Sequence, residues 1–307
     1  MTSQHTAVDL APLQRETGGF AMLAVDQREA LRLMFAGDAA PQPDGSISNE
    51  ILERVPDATL TDFKLETARV LTPHASAVLI DRQFAFDAAV DAGVVAPGCG
   101  LIATADRFIS GNGEVVTDVV IDEEVDPQRV AEQGAVAMKL LVIYRPDQPA
   151  QARVEMVERF VARCRSAGLI SIIEPLSRGP RDGRTWDWNT GVHAVALELG
   201  SLGADLYKAE VPLHGQGPDA AVLTECAALT ESIASPWVVL SSGVAPDEFP
   251  RAVELACRAG ASGFLAGRAV WRNCVGVDRR ELPARLAEDA VARLQRLASV
   301  VDRVLTK

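Results

Sequence analysis

Four charged residues stand in or at the end of runs that are otherwise apolar. They are Asp26 closing FAMLAVD (20–26), Lys139 in AVAMKLLVIY (135–144), Glu174 in LISIIEPL (169–176) and Lys208 in ADLYKAEVP (204–212). Lys and Glu are seldom fully buried without a partner, so any one of them alone reads equally well as half of a structural ion pair. Two lysines and two carboxylates brought to one place have a further chemical logic. An ammonium held near a second ammonium and away from water loses its proton more easily and becomes a nucleophilic amine. That amine adds to a ketone to give a carbinolamine, and loss of water gives an iminium. The iminium draws electrons from the neighbouring C–C bond, which breaks to leave an enamine. Carboxylates supply the base for the hydroxyl proton and the acid that manages water.

Something must position these groups, and the apolar runs themselves do so. Besides the four above there are ASAVLID (75–81), GLIATAD (100–106), PWVVLSSG (236–243) and SGFLAGRAVW (262–271), eight in all. Each is nearly continuous in apolar residues, as strands of a parallel sheet buried on both faces require. Helical patterns lie between them. In 151–168 Val154, Val157, Phe160 and Val161 form one stripe that stops at Gly168, and 247–261 repeats that grammar with Gly260 as the stop. Eight strands alternating with helices predict an α/β chain folded as a single (β/α)8 barrel over 1–307. An open doubly wound sheet would place a GxGxxG turn after the first strand, where this chain has Asp26-Gln27-Arg28. The stretch 37–49 reads as a Pro/Gly/Ser loop, the helix after it breaks near Pro56, and 281–305 reads as an amphipathic helix closing the barrel.

In such barrels function sits at the C-terminal ends of the strands, and the loops after strands seven and eight often bind phosphate through backbone N–H groups. Here those loops are LSSGV (240–244) and the turn in FLAGRAVW (264–271). Gly243 and Gly267 permit close approach, Ser241 offers a hydroxyl and Arg268 a charged fork. Either stretch alone is a weak signal; both at the expected places are more specific.

The stretches GGFAMLAVDQREALRLMF (18–35), SIIEP (171–175), GADLYKAEVPLHG (203–215), WVVLSSGV (237–244), FPRAV (249–253) and GASGFLAGRAVW (260–271) closely resemble the bacterial sulfofructosephosphate aldolases. Those enzymes stand with the tagatose-bisphosphate aldolases among the class I, Schiff-base aldolases. The resemblance runs through nearly the whole chain. It implies that Lys208 forms the Schiff base, that Glu174 is the acid/base, and that Lys139 and Asp26 complete the site. It implies no cofactor and no metal, and a ketose 1-phosphate with a second anionic group as substrate. Arginines in IYRPD (Arg145) and PLSRGPRDG (Arg178, Arg181) lean towards the sulfosugar enzymes, while the tagatose enzymes are the alternative; solvated loop charges are the plainer reading of all three. Gln27 and Arg28, just past the first strand, and Arg145 are placed to hold the far end of the substrate. The stretches TWDWNTG (185–191) and IDEEVDP (121–127) depart from the resemblance and carry no assigned role.

Composition narrows the alternatives. The chain has 307 residues with 30 Lys+Arg against 42 Asp+Glu, a net charge of −12, which lacks the basic footprint of a nucleic-acid binder. No apolar run is long enough to span a bilayer, and the N-terminus does not read as a secretory signal. Five scattered cysteines with no CxxC pair suit reduced thiols and a cytoplasmic setting. A metal-dependent aldolase would need clustered histidines, whereas His5, His74, His193 and His214 are far apart. A sugar-phosphate binding protein would use Ser241 and Arg268 but has no need of Lys208 with Lys139. The expected partners are a small sugar phosphate or sulfonate and further copies of the chain.

Overall fold

The computed structural model describes residues 8–306, so His5 lies outside the described residues. All eight apolar runs become parallel strands of one closed barrel. In chain order the ten strands are β1 (Phe20–Ala24), β2 (Ala77–Ile80), β3 (Gly100–Thr104), β4 (Asp106–Gly111), β5 (Glu114–Ile121), β6 (Ala135–Tyr144), β7 (Ile170–Ser177), β8 (Leu206–Ala209), β9 (Trp237–Val239) and β10 (Gly263–Ala266). The barrel runs β1-β2-β3-β6-β7-β8-β9-β10 and closes back on β1, while β4 and β5 form a separate antiparallel pair.

Alternation along the strands divides the core in two. One set of side chains packs inside the barrel: Phe20, Met22 and Ala24 of β1, Ala137 of β6, Ile172 of β7, Leu206 of β8, with Leu13 at the same core. The other set, such as Ala21 and Leu23, faces outward and packs with the surrounding helices, including Val157 and Phe160 of the helix Ala150–Ser166. Because side chains repeat every second residue, one further step along each inward row leads to a charge. Ala24 leads to Asp26, Ala137 to Lys139, Ile172 to Glu174 and Leu206 to Lys208. The apolar stack is therefore topped at its C-terminal end by a charged layer.

Departures from expectation are local. The 262–271 run is strand only over Gly263–Ala266; Arg268–Trp271 is a helical turn, and Trp271 Nε1 ties it back to the Ala24 carbonyl at 2.8 Å. Pro56 does break the helix after the 37–49 loop, capping Asp57–Leu71 behind the short helix Asn49–Arg54. The C-terminal segment is helical over Leu282–Arg285 and Val291–Leu305, with a π turn at Leu286–Ala290 between them. No helix among the described residues is long and apolar enough to cross a membrane.

The β4–β5 hairpin is the element the sequence reading did not foresee. Its turn places Asn112 at φ 53° and Gly113 at φ 72°, the left-handed pair that a two-residue hairpin turn requires. The 37–49 loop leans on it, with the Gly113 N–H donating to the Pro43 carbonyl at 2.8 Å. A Cβ on Gly45 would lie 2.3 Å from the Glu114 carbonyl oxygen, so only glycine allows that approach.

Candidate active site

Register brings the charged layer together. Thr104 of β3 pairs with Lys139 of β6, and Leu141 of β6 pairs with Glu174 of β7. Ile173 pairs with Tyr207, so the next step sets Glu174 beside Lys208. The result is a chain of close contacts. Lys208 Nζ lies 2.8 Å from Glu174 Oε1, and Lys139 Nζ lies 3.0 Å from the other oxygen, Oε2. Lys139 also reaches Asp26 Oδ2 at 2.8 Å and Asp106 Oδ2 at 3.2 Å. Asp106 accepts the Leu141 N–H at 2.9 Å and pairs through Oδ1 with Arg28 Nη2 at 2.5 Å.

Electrostatics separate the two lysines. Burial disfavours the Lys139 ammonium, but Asp106, Asp26 and Glu174 outweigh it and hold its proton above the usual lysine range. Burial likewise disfavours the Asp26 carboxylate, yet Lys139 and Lys208 keep it well below the usual carboxylate range. Lys139 is thus a fixed cation among three carboxylates. Lys208 has one close carboxylate, and that carboxylate lies between the two ammonium groups. The ammonium–ammonium repulsion expected from the sequence is therefore screened by Glu174.

Asp26, Lys139 and Glu174 line a cavity of about 380 Å³ at the barrel mouth, a volume suited to a small metabolite, and Lys208 meets it through Glu174. Its far side is apolar, built from Leu141, Ile143, Leu176, Phe108 and Val116. The hairpin supplies the last two, so β4–β5 acts as a roof. Arg178, Arg268, Ser242 and Gln27 line the same cavity.

The residues expected to bind substrate fall into two groups. Arg268 faces the cavity and donates to Ser242 Oγ at 2.9 Å; burial and the nearby Arg272 lower its pKa. No carboxylate pairs with it among the described residues. Ser241 is buried, and its neighbour Ser242 is the serine on the cavity wall. A Cβ on Gly243 would stand 2.2 Å from the His214 ring, and one on Gly267 2.5 Å from the Ala24 carbonyl oxygen. Both glycines are therefore demanded by the packing of these loops.

Arg28 and Arg145 are already engaged. Arg28 donates to Asp106 and to Thr104 Oγ1 at 3.0 Å, and its guanidinium lies 3.9 Å from the centre of the Phe108 ring. Arg145 is buried, pairs with Glu114 and donates to the Gly179 carbonyl at 2.7 Å. Both arginines clamp the hairpin roof. Arg181 donates to the Thr117 carbonyl at 3.2 Å. Arg178 is the remaining loop arginine, one-third exposed and on the cavity wall.

Three contributors escaped the sequence reading: Asp106, Ser242 and Glu210. Asp106 did carry a signal, since FAMLAVD, ASAVLID and GLIATAD all end in aspartate at the functional end of a barrel strand. Asp81, the middle one, pairs with the buried Lys64 beside the cluster. The remaining histidines are dispersed: His193 meets Glu225, His74 meets Gln295 and His214 stacks on Trp188.

The fold and sequence have clear relatives. The tagatose 1,6-diphosphate aldolase of Listeria monocytogenes serotype 4a is 28% identical over 294 residues, covering 87% of this chain and 82% of its own. Among solved structures, a Schiff base-forming fructose-1,6-bisphosphate aldolase superposes with a TM-score of 0.62 at 17% identity, covering 94% of this chain and 96% of its own. The fructose-bisphosphate aldolase of Slackia heliotrinireducens gives the same TM-score and identity over 100% of this chain and 94% of its own. The DeoC/LacD family model matches residues 20–273, from the first barrel strand to just past Arg268, and the chain belongs to this family of aldolases.

Proposed function

We propose that the protein is a class I aldolase that cleaves a ketose 1-phosphate to dihydroxyacetone phosphate and an aldehyde through a Schiff base on Lys208. The observation that carries this reading is Glu174 bridging Lys208 and Lys139 at 2.8 and 3.0 Å. Glu174 is in reach to take the Lys208 proton, and Lys139 stays charged to balance the carboxylates. The neutral amine adds to the substrate carbonyl at C2. Glu174 returns the proton to the carbinolamine hydroxyl, water leaves, and the iminium forms. Removal of the C4 hydroxyl proton by a carboxylate lets the C3–C4 bond break, its electrons passing into the C2=C3 enamine as the aldehyde departs. Protonation at C3 and addition of water then free dihydroxyacetone phosphate and Lys208.

The covalently held half carries the phosphate, which assigns that group to the loops after β9 and β10, with Ser242, Gly243, Gly267 and Arg268. The other half extends over Leu141, Ile143 and Leu176 towards Gln27 and Arg178. Arg28 and Arg145, paired as they are, support the roof above it.

Two readings of the far group have separate support. The tagatose 1,6-diphosphate aldolase names of the relatives favour a second phosphate. A single partly exposed guanidinium, Arg178, beside an apolar wall favours a monoanion, as in 6-deoxy-6-sulfofructose 1-phosphate, which would yield sulfolactaldehyde. A sulfonate carries one charge, whereas a phosphate monoester carries about −1.5 to −2 at neutral pH.

Cleavage of both substrates, measured with and without EDTA, tests the proposal. The expected result is turnover of at least one ketose 1-phosphate, unchanged by EDTA. Full loss in EDTA with recovery on adding zinc would contradict the Schiff-base mechanism.

A further inference from the structure

Glu210 follows Lys208 by two residues, and so continues the same inward row one layer above the charged cluster. It is almost wholly buried, and it stands where the end of β7 meets the TWDWNTG segment. Its Oε2 accepts the Ser177 N–H at 2.7 Å, and its Oε1 lies 3.8 Å from Arg178 Nη1. The Trp188 side chain lies beside it and helps to lower its pKa. Trp188 in turn stacks on His214 with ring centres 3.7 Å apart, and its carbonyl accepts the Ser177 hydroxyl at 3.1 Å. The segment that departs from the family resemblance thus packs against one carboxyl group, and that group pairs with Arg178 of the cavity wall, whose Nη1 also donates to the Ser177 carbonyl at 2.9 Å.

From this geometry we infer that Glu210 is a positioning residue for substrate selectivity, acting through Arg178, whose pull on an anionic aldehyde it weakens when ionised and releases when protonated. The inference rests on the aldolase reading above. Burial raises the Glu210 carboxyl to about 7, against the lowering effects of Arg178, the Ser177 N–H and Trp188, so it changes charge in the working range. The other charged or titratable groups around it are Glu174 and Arg178 at the end of β7, Tyr207 and Lys208 of its own strand, and His214 behind Trp188. Glu174 adds to the upward shift, and burial keeps the His214 ring below its ordinary value. The Tyr207 hydroxyl is pushed upward by burial and by Glu210 itself, so it stays neutral throughout.

Below pH 7 a neutral Glu210 leaves the full Arg178 charge to the ligand. Above pH 7 the carboxylate shares that guanidinium. The preference for an anionic over a neutral aldehyde therefore falls as pH rises, by roughly two- to fivefold for a partly exposed pair.

The test runs the reaction in the synthetic direction, condensing dihydroxyacetone phosphate with sulfolactaldehyde or with neutral glyceraldehyde from pH 5.5 to 8.5. A sulfonate does not titrate in this range, and the ratio of the two kcat/KM values cancels groups that act on both reactions alike. In the wild type the ratio should fall through pH 7. Glu210→Gln should hold it flat at the high, acidic level, and Arg178→Gln should hold it flat at a low level. A purely structural role would not drive the two variants to opposite levels. Borohydride trapping of dihydroxyacetone phosphate on each variant shows that it is folded, and absence of any adduct on the wild type would refute the Lys208 reading instead. A wild-type ratio independent of pH, or an Arg178→Gln variant that keeps the wild-type slope, overturns the inference.

Discussion

Glu174 offers one carboxylate oxygen to Lys208 and the other to Lys139, so a single side chain on β7 touches both lysines of the barrel mouth. The two contacts are chemically unequal. Lys139 is held as an ammonium by Asp26 and Asp106 as well, whereas Lys208 meets Glu174 alone among the described residues. In the proposed mechanism Lys208 is the amine whose proton Glu174 carries.

Replacing Glu174 with Gln removes that proton carrier while keeping the shape. The expected outcome is a turnover number lower by about 10²–10⁴-fold, with the borohydride adduct still formed. Single-turnover kinetics beside adduct yield checks this. Near wild-type turnover would transfer the relay to Asp26.

Arg28→Ala should act on stability more than on affinity for dihydroxyacetone phosphate. Asp106 would keep Lys139 but lose its guanidinium, and breaking a buried pair from one side costs about 3–5 kcal/mol. Urea midpoints report the loss. Weakened binding of dihydroxyacetone phosphate at unchanged stability would place Arg28 at the phosphate.

Arg268→Ala removes a cation that faces the cavity with a serine as its hydrogen-bond partner. Affinity for dihydroxyacetone phosphate should fall by roughly 1.5–3 kcal/mol, the worth of a charged hydrogen bond. Calorimetric titration checks it. Arg178→Ala should leave that affinity nearly intact and weaken only the aldehyde.

Glu210 also makes a prediction about stability. Its folded pKa of about 7 lies above that of an unfolded glutamate, about 4.3. The folded state therefore holds the extra proton between those values, and stability falls as pH rises from about 4.5 to 7. The loss should approach about 4 kcal/mol as the pH passes 7 and then level off. Comparing urea midpoints of wild type and Glu210→Gln at pH 5 and 8 isolates it, since the variant lacks this contribution.

The barrel was legible because its strands are buried on both faces and so appear as unbroken apolar runs, and the charges within them stand out for the same reason. Lys139, Glu174 and Lys208 could be picked out from AVAMKLL, SIIEP and LYKAE alone. Asp106 was harder, since it ends a run where a polar residue is unremarkable, and only its place above β3 brings it to Lys139. The hairpin was missed although its GNGEVV carries the Asn-Gly turn signal, because its strands are half-exposed and short of alternating apolar residues. Arg28 and Arg145 show another limit. Their positions near the mouth were readable, but the partners that engage them, Asp106 and Glu114, come from elements far away in sequence. Ser242 rather than Ser241 on the cavity wall depends on the loop's turn, which spacing does not disclose.

The most direct test is to incubate the protein with dihydroxyacetone phosphate and borohydride, digest it, and locate the reduced adduct by mass spectrometry. The account predicts one labelled site, Lys208, in the peptide containing DLYKAEVP, and no label after Lys208→Met. A label on Lys139, or wild-type protein that takes no label while still cleaving substrate, would contradict it.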